Sequence, residues 1–258
     1  MTDPNKGTKL TVYWLSQSRS HRILFLLEAL HLTYDLKIYH RGTDKLAPPE
    51  LKEIHPLGKS PLITVHPPSA SEPIVLAESG VIIEYLLDHF GENAERGLVP
   101  KRYKDGQEGC VGGETEEWMR YRYYMHYAEG SLMPFLVMQL VMDTVKNPPG
   151  MPFFIKPLPR LVASQVEASF LTRNITANLE FLEQQLKTSP GGGQYICGKE
   201  LTAADVMMSF PVIAMSGRVD LNTFPLLKAY ADRLQKEEAY LAAVRKVEEV
   251  DGVFEASL

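Results

Sequence analysis

The run LTVYWLSQSRSHRILFLLEALHLTYDLKIY, residues 10–39, decides the fold. Leu10 to Leu15 is short, apolar, β-branched and aromatic, which predicts a buried strand. SQSRS follows as a turn. Arg22 to Leu30 (RILFLLEAL) is rich in good helix formers and predicts a helix. Tyr34 to Tyr39 alternates with period two, as a strand does. Strand, helix and strand at this spacing form a βαβ unit, so the two strands should be parallel, joined by a right-handed crossover.

Outward from that unit the pattern stays mixed. LAPPELKEI, residues 46–54, reads as a loop holding one helical turn. Pro61 to Val65 (PLITV) and Ile74 to Leu76 (IVL) read as an antiparallel hairpin joined by HPPSASEP. Ser79 to Phe90 is amphipathic, with apolar residues at 82, 83, 86, 87 and 90. The expectation is an α/β domain over residues 1–92, a polar linker over 93–113, and an all-α domain over 114–258. In that second part, Glu114 to Met133 and Phe135 to Lys146 read as one long helix interrupted at Pro134. NPPGMPFFIKPLPR, residues 147–160, reads as a loop that no helix crosses. Leu161 to Lys187 is a second long helix ended by SPGGG. Leu201 to Ser216, with Pro211 inside it, is a third. Phe224 to Lys236 and Ala239 to Val250 are shorter amphipathic helices.

Composition narrows the function. The chain has 258 residues, 45% of them hydrophobic and 23% charged, which excludes a disordered chain. The charge sum is 27 − 32 = −5. Nucleic-acid binding needs clustered positive charge, so no such partner is expected. The longest uncharged stretch, Gly130 to Met142, has 13 residues; a membrane-spanning helix needs about 20. MTDPNKGTKL has no apolar run, so neither a signal peptide nor a transmembrane segment is expected. Cys110 and Cys197 are far apart and form no CxxC, consistent with free thiols and a cytoplasmic setting. The histidines show no HxxxH pair, so no metal is expected.

Two strand-to-helix turns have chemical potential. SQSRSHR places Ser16, Ser18 and Ser20 where backbone N–H groups and the positive helix end suit an anion, including a thiolate. The plainer reading makes one serine an ordinary N-cap. In LAESG, Ser79 is a natural N-cap and Glu78 stands just before it. A carboxylate that reads an ammonium, beside a helix end that reads a carboxylate, describes an amino-acid site. A solvated glutamate is the plainer alternative. Between them, HPLGKSPLI opens a strand with Ser60-Pro61. A cis bond there would turn the Ser60 backbone groups outward. Thr202 and Asp205 in LTAAD have the spacing of a helix capping box.

WLSQSRSHRILFLLEALHLTYDL, HPLGKSPLI and LAESGVIIEYLLDHF together resemble the glutathione transferase superfamily. YYMHYAEGSLMP and GKELTAADVMMSFP extend the resemblance, and look most similar to the fungal and bacterial transferases of the yeast type. It implies a thioredoxin-like N-terminal domain followed by an all-helical domain. It implies glutathione as co-substrate, no metal, and a homodimer. By the same resemblance Ser18 is the catalytic serine and Lys59 contacts the glycyl carboxylate. The Ser60 backbone pairs with the cysteinyl backbone beside a cis Pro61, and Glu78 with Ser79 holds the γ-glutamyl group. Tyr13 is the competing hydroxyl donor. Tyr13, Tyr123 and Tyr127 are candidates for the electrophile pocket, with packing as the alternative for the last two. The implied reaction is attack of the glutathione thiolate on a small hydrophobic electrophile. Alternatives are peroxidase chemistry on organic hydroperoxides with the same thiolate, or a non-catalytic glutathione-binding protein. The turn has no cysteine at position 18, which argues against thiol reductase chemistry.

Overall fold

The computed structural model describes residues 3–254 apart from 147, 149, 150, 153, 156 and 218. The reading of the first two residues, and of those five positions in the proline-rich run, lies outside the described residues.

Four strands, β1 (Lys9–Leu15), β2 (Asp35–Tyr39), β3 (Leu62–His66) and β4 (Ile74–Ala77), form one sheet in the order β2-β1-β3-β4. β1 and β2 are parallel; β1 with β3 and β3 with β4 are antiparallel. Helix α1 (Ser20–Ala29) makes the crossover, α2 (Leu51–Ile54) is a single turn, and α3 (Ser79–Phe90) follows β4. Successive side chains of β1 go to opposite faces, as the pleat requires. Val12 and Trp14 enter the main core with Ile23, Leu27 and Ile82. Tyr13 and Leu15 enter a smaller cluster with Leu51 and Leu62, beneath α2. The βαβ unit and the hairpin match the sequence reading, with α1 starting two residues earlier, at Ser20.

The second half is helical. One rod joins α4 (Glu116–Tyr127), a π turn at Ala128–Leu132, and α5 (Met133–Lys146). A second joins α6 (Pro157–Val166), a π turn at Glu167–Leu171, and α7 (Thr172–Lys187). α8 (Ala203–Met215), α9 (Pro225–Leu234) and α10 (Glu238–Asp251) complete the domain. Two proline readings need correction. Pro134 does not interrupt the rod. A proline ring clashes with the carbonyl four residues back, here Gly130, which lies in the π turn where the ladder is already widened. Pro157 and Pro159 do not belong to a loop either. They occupy the first turn of α6, where an N–H has no intrahelical acceptor and a proline is tolerated.

Every residue of α8 is buried, as befits a helix that is apolar all round. Its one carboxylate, Asp205, is fully buried and accepts four hydrogen bonds. They come from Ile196 N (3.0 Å), Thr202 N (2.8 Å), Thr202 Oγ1 (2.7 Å) and Tyr230 Oη (2.8 Å). Burial pushes the Asp205 carboxyl up, and those donors pull the other way. Asp205 thus caps α8 and fastens α9 to it. Asp205→Ala should cost about 3–5 kcal/mol, because it strands several buried donors at once. Calorimetry should show a Tm drop of about 10 °C; a drop of only a degree or two would show that water replaces the carboxylate.

Candidate active site

β1 ends at Leu15, and Ser16–Arg19 turn the chain into α1. The sheet register brings three segments to one end. Tyr13 lies opposite Leu62, so Ser60 falls level with Leu15. Leu62 lies opposite Ala77, so Ser60 also falls level with Ser79. The Ser60-Pro61 bond is cis. The Ser18 hydroxyl oxygen is 3.0 Å from Ser60 Oγ and 3.1 Å from Ser20 Oγ, and accepts from Ser20 N at 3.2 Å. Ser20 Oγ in turn contacts Ser60 Oγ. Ser18 and Ser20 are buried, while Ser60 is half-buried. The hydroxyl of Ser18 therefore sits at the positive end of α1, with a backbone N–H feeding its oxygen.

The other sequence candidates distribute unevenly around this point. Lys59 is exposed and follows Gly58, whose φ of 54° closes the HPLG turn. A side chain on Gly58 would meet Lys52 Cγ at 2.7 Å. Glu78 is exposed, has φ 72°, and stands at the N-cap position of α3 without a side-chain cap bond; the first residue of α3, Ser79, is buried. Tyr13 is buried on the α2 side of the sheet. Its hydroxyl is 3.5 Å from Thr64 Oγ1, one strand over and two residues down the sheet from Leu62. Tyr123 and Tyr127 stack on each other at 5.5 Å, and both meet Phe181 of α7. The Tyr127 hydroxyl donates to Asn178 Oδ1, also on α7.

Two residues essential to the geometry went unnoticed in the sequence. Glu129, in the π turn of the helical domain, binds Arg19 Nε (2.9 Å) and Arg22 Nη1 (2.8 Å). Burial drives the fully buried Arg22 guanidinium down to about 10, so it stays charged at neutral pH. The available signal was position: Glu129 is the last charge before the long uncharged stretch. Arg41, after β2, had no signal; its three donors all reach backbone carbonyls.

His21 follows the serine cluster on α1. It is fully buried among Phe210, Tyr240 and Phe254. Burial, helped by the Arg22 charge, pushes the imidazole down to about 3. Among the described residues no group of three or more His, Cys, Asp or Glu could hold a metal ion.

A mixed four-stranded sheet with a hydroxyl-bearing strand-to-helix turn, a neighbouring cis-proline and an appended helical domain defines a thioredoxin-like domain plus all-α architecture. The comparisons say which one. The glutathione S-transferase N-terminal domain family matches residues 18–89, and the glutathione S-transferase C-terminal domain family matches residues 161–243. Glutathione S-transferase 1 of Saccharomyces cerevisiae is 33% identical over 239 residues, covering 92% of this chain and 94% of its own. Glutathione S-transferase 3 of Schizosaccharomyces pombe is 30% identical over 205 residues, covering 80% and 74%. A crystal structure of a glutathione S-transferase from Actinobacillus pleuropneumoniae superimposes with a TM-score of 0.66, at 28% identity over 93% of each chain. The chain belongs to the glutathione S-transferase family.

The buried imidazole has a measurable consequence. An unfolded chain takes up a proton on His21 near pH 6.5, and the folded chain does not until about pH 3. Unfolding therefore binds a proton in that window, and stability falls as pH falls through it, by about 1.4 kcal/mol per unit for this group. Between pH 6.5, where the unfolded imidazole is half protonated, and pH 4.5 the loss should be about 2.3 kcal/mol. His21→Phe should remove that part of the slope in urea melts. Parallel slopes for the two proteins would mean that His21 protonates in the folded state.

Proposed function

We propose that this protein activates the thiol of glutathione as a thiolate and conjugates it to small hydrophobic electrophiles, with Ser18 as the hydroxyl that donates to the sulfur. The observation that carries the reading is the position of Ser18: at the start of α1, 3.0 Å from Ser60 at the cis Ser60-Pro61 bond. Tyr13 is the weaker candidate, because its hydroxyl lies beside Thr64, two residues along β3 from Leu62 and away from Ser60. In this reading the Ser60 backbone, beside the cis Pro61, pairs with the cysteinyl backbone of glutathione. Exposed Lys59 meets the glycyl carboxylate. Glu78 takes the γ-glutamyl ammonium and the Ser79 end of α3 takes its carboxylate. The binding domain covers residues 1–92, the linker 93–113, and the helical domain 114–258.

The energetics are modest. A free thiol titrates near 8.5, and lowering that by two units takes about 2.7 kcal/mol. One hydrogen bond to a charged sulfur plus a helix end supply that amount. For the electrophile, half-exposed Tyr123 beside Tyr127 offers aromatic surface, while the Tyr127 hydroxyl is committed to Asn178.

The test is an ultraviolet titration of the bound glutathione thiolate in wild type and Ser18→Ala. The substitution should raise the bound thiol pKa by about 1–2 units and lower kcat/KM at neutral pH by about 10- to 100-fold. An unchanged pKa would move the role to another group of the turn. The proposed homodimer uses exposed apolar surface such as Val81 on α3 and Met119 on α4. Light scattering at micromolar concentration should give twice the chain mass, and a monomer would overturn it.

A further inference from the structure

The turn that carries Ser18 is held from outside by one side chain. Arg41, two residues beyond β2, donates Nε to the Ser16 carbonyl (3.2 Å) and Nη2 to the Gln17 carbonyl (3.1 Å). Its Nη1 donates to the Lys45 carbonyl at 3.1 Å, in its own loop. Ser16 N donates to the Tyr39 carbonyl at 3.1 Å, so the chain around the end of β2 grips Ser16 by both backbone groups. Gln17 has φ 51°, a left-handed conformation that a residue with a side chain adopts only when its surroundings hold it there. The Gln17 carbonyl accepts from the guanidinium at the position just before Ser18.

The flank of the turn is open. A cavity of about 330 Å³ lies there, lined by Trp14, Ser16, Gln17, His40 and Arg41 among others. Asp251 at the end of α10 reaches it too and pairs with His40 at 3.0 Å, which steadies the loop that carries Arg41. The fork also lies close enough to Arg19 to feel its charge.

We propose that Arg41 is the positioning residue of the thiol site: its guanidinium ties the Ser16-Gln17 backbone to the loop after β2 and so aims the Ser18 hydroxyl at the sulfur. This rests on Ser18 being the donor. Arg41 acts through backbone carbonyls, so its shape matters more than its charge. A lysine keeps the charge but has no planar fork to span three acceptors.

The experiment compares wild type, Arg41→Lys, Ser18→Ala and the double variant, all as full-length protein. It measures Tm, the ultraviolet pKa of bound glutathione thiol, and kcat and KM for glutathione with a chlorodinitrobenzene electrophile. Arg41→Lys should raise the thiol pKa by about one unit and lower kcat about tenfold, with KM for glutathione within about twofold of wild type. In the Ser18→Ala background the same change should add almost nothing to the pKa, because the two act as one unit. Full activity and an unshifted pKa in Arg41→Lys would overturn the proposal, as would additive shifts in the double variant. A raised KM with unchanged kcat and pKa would overturn it too, since Arg41 would then bind glutathione itself. A lowered Tm with unmoved pKa would reduce Arg41 to a loop anchor. If Ser18→Ala alone leaves the pKa unmoved, it is the Ser18 reading that fails.

Discussion

A buried guanidinium is costly unless it is paired, and in this protein one such pair joins the two halves. Arg22 is fully buried on α1, and two of its nitrogens, Nε and Nη2, find no hydrogen-bond partner among the described residues. Glu129, from the helical domain, is what offsets that burial. A buried charge that loses its partner costs about 3–5 kcal/mol, a large share of the roughly 5–15 kcal/mol that holds a folded domain together. The same carboxylate also takes Arg19, the residue next to Ser18. Docking of the domains and shaping of the serine turn therefore share one group, and neither is independent of the other.

The site itself is assembled by strand register more than by any loop. Antiparallel pairing through Tyr13–Leu62 and Leu62–Ala77 is enough to bring the ends of β1, β3 and β4 level. The three segments are far apart in sequence and meet because a sheet has only one way to place them once its apolar faces are fixed. What varies locally is left to small devices: the left-handed Gln17, the cis Ser60-Pro61 bond and the positive φ of Glu78.

How much of this was legible depends on the range of the interaction. The strands, the crossover and α3 follow from periodicity within a dozen residues, and the turns at Ser18 and Glu78 follow from their order. The capping relation of Thr202 and Asp205 is local as well, although nothing nearby announces that Ile196 and Tyr230 join it. Pro134, Pro157 and Pro159 misled for one reason. A proline's cost depends on whether the N–H and the carbonyl four residues back are needed, and at a π turn or a first helical turn they are not. Glu129 reaches Arg22 across 107 residues of chain and Arg41 reaches Gln17 across 24, through partners that no periodicity marks.

The π turn at Ala128–Leu132 has one more implication. It places an extra residue in a helix, and so rotates everything beyond it by about a quarter turn relative to an unbroken helix. The rod from Glu116 to Lys146 consequently has two phases. Side chains before the turn and side chains after it address different neighbours even when their spacing matches a single helical face. Such an offset is a property of length, not of composition. Point substitutions along the rod leave it in place, whereas loss or gain of one residue there would spin the distal half off its partners while leaving every amino acid type suited to its old position.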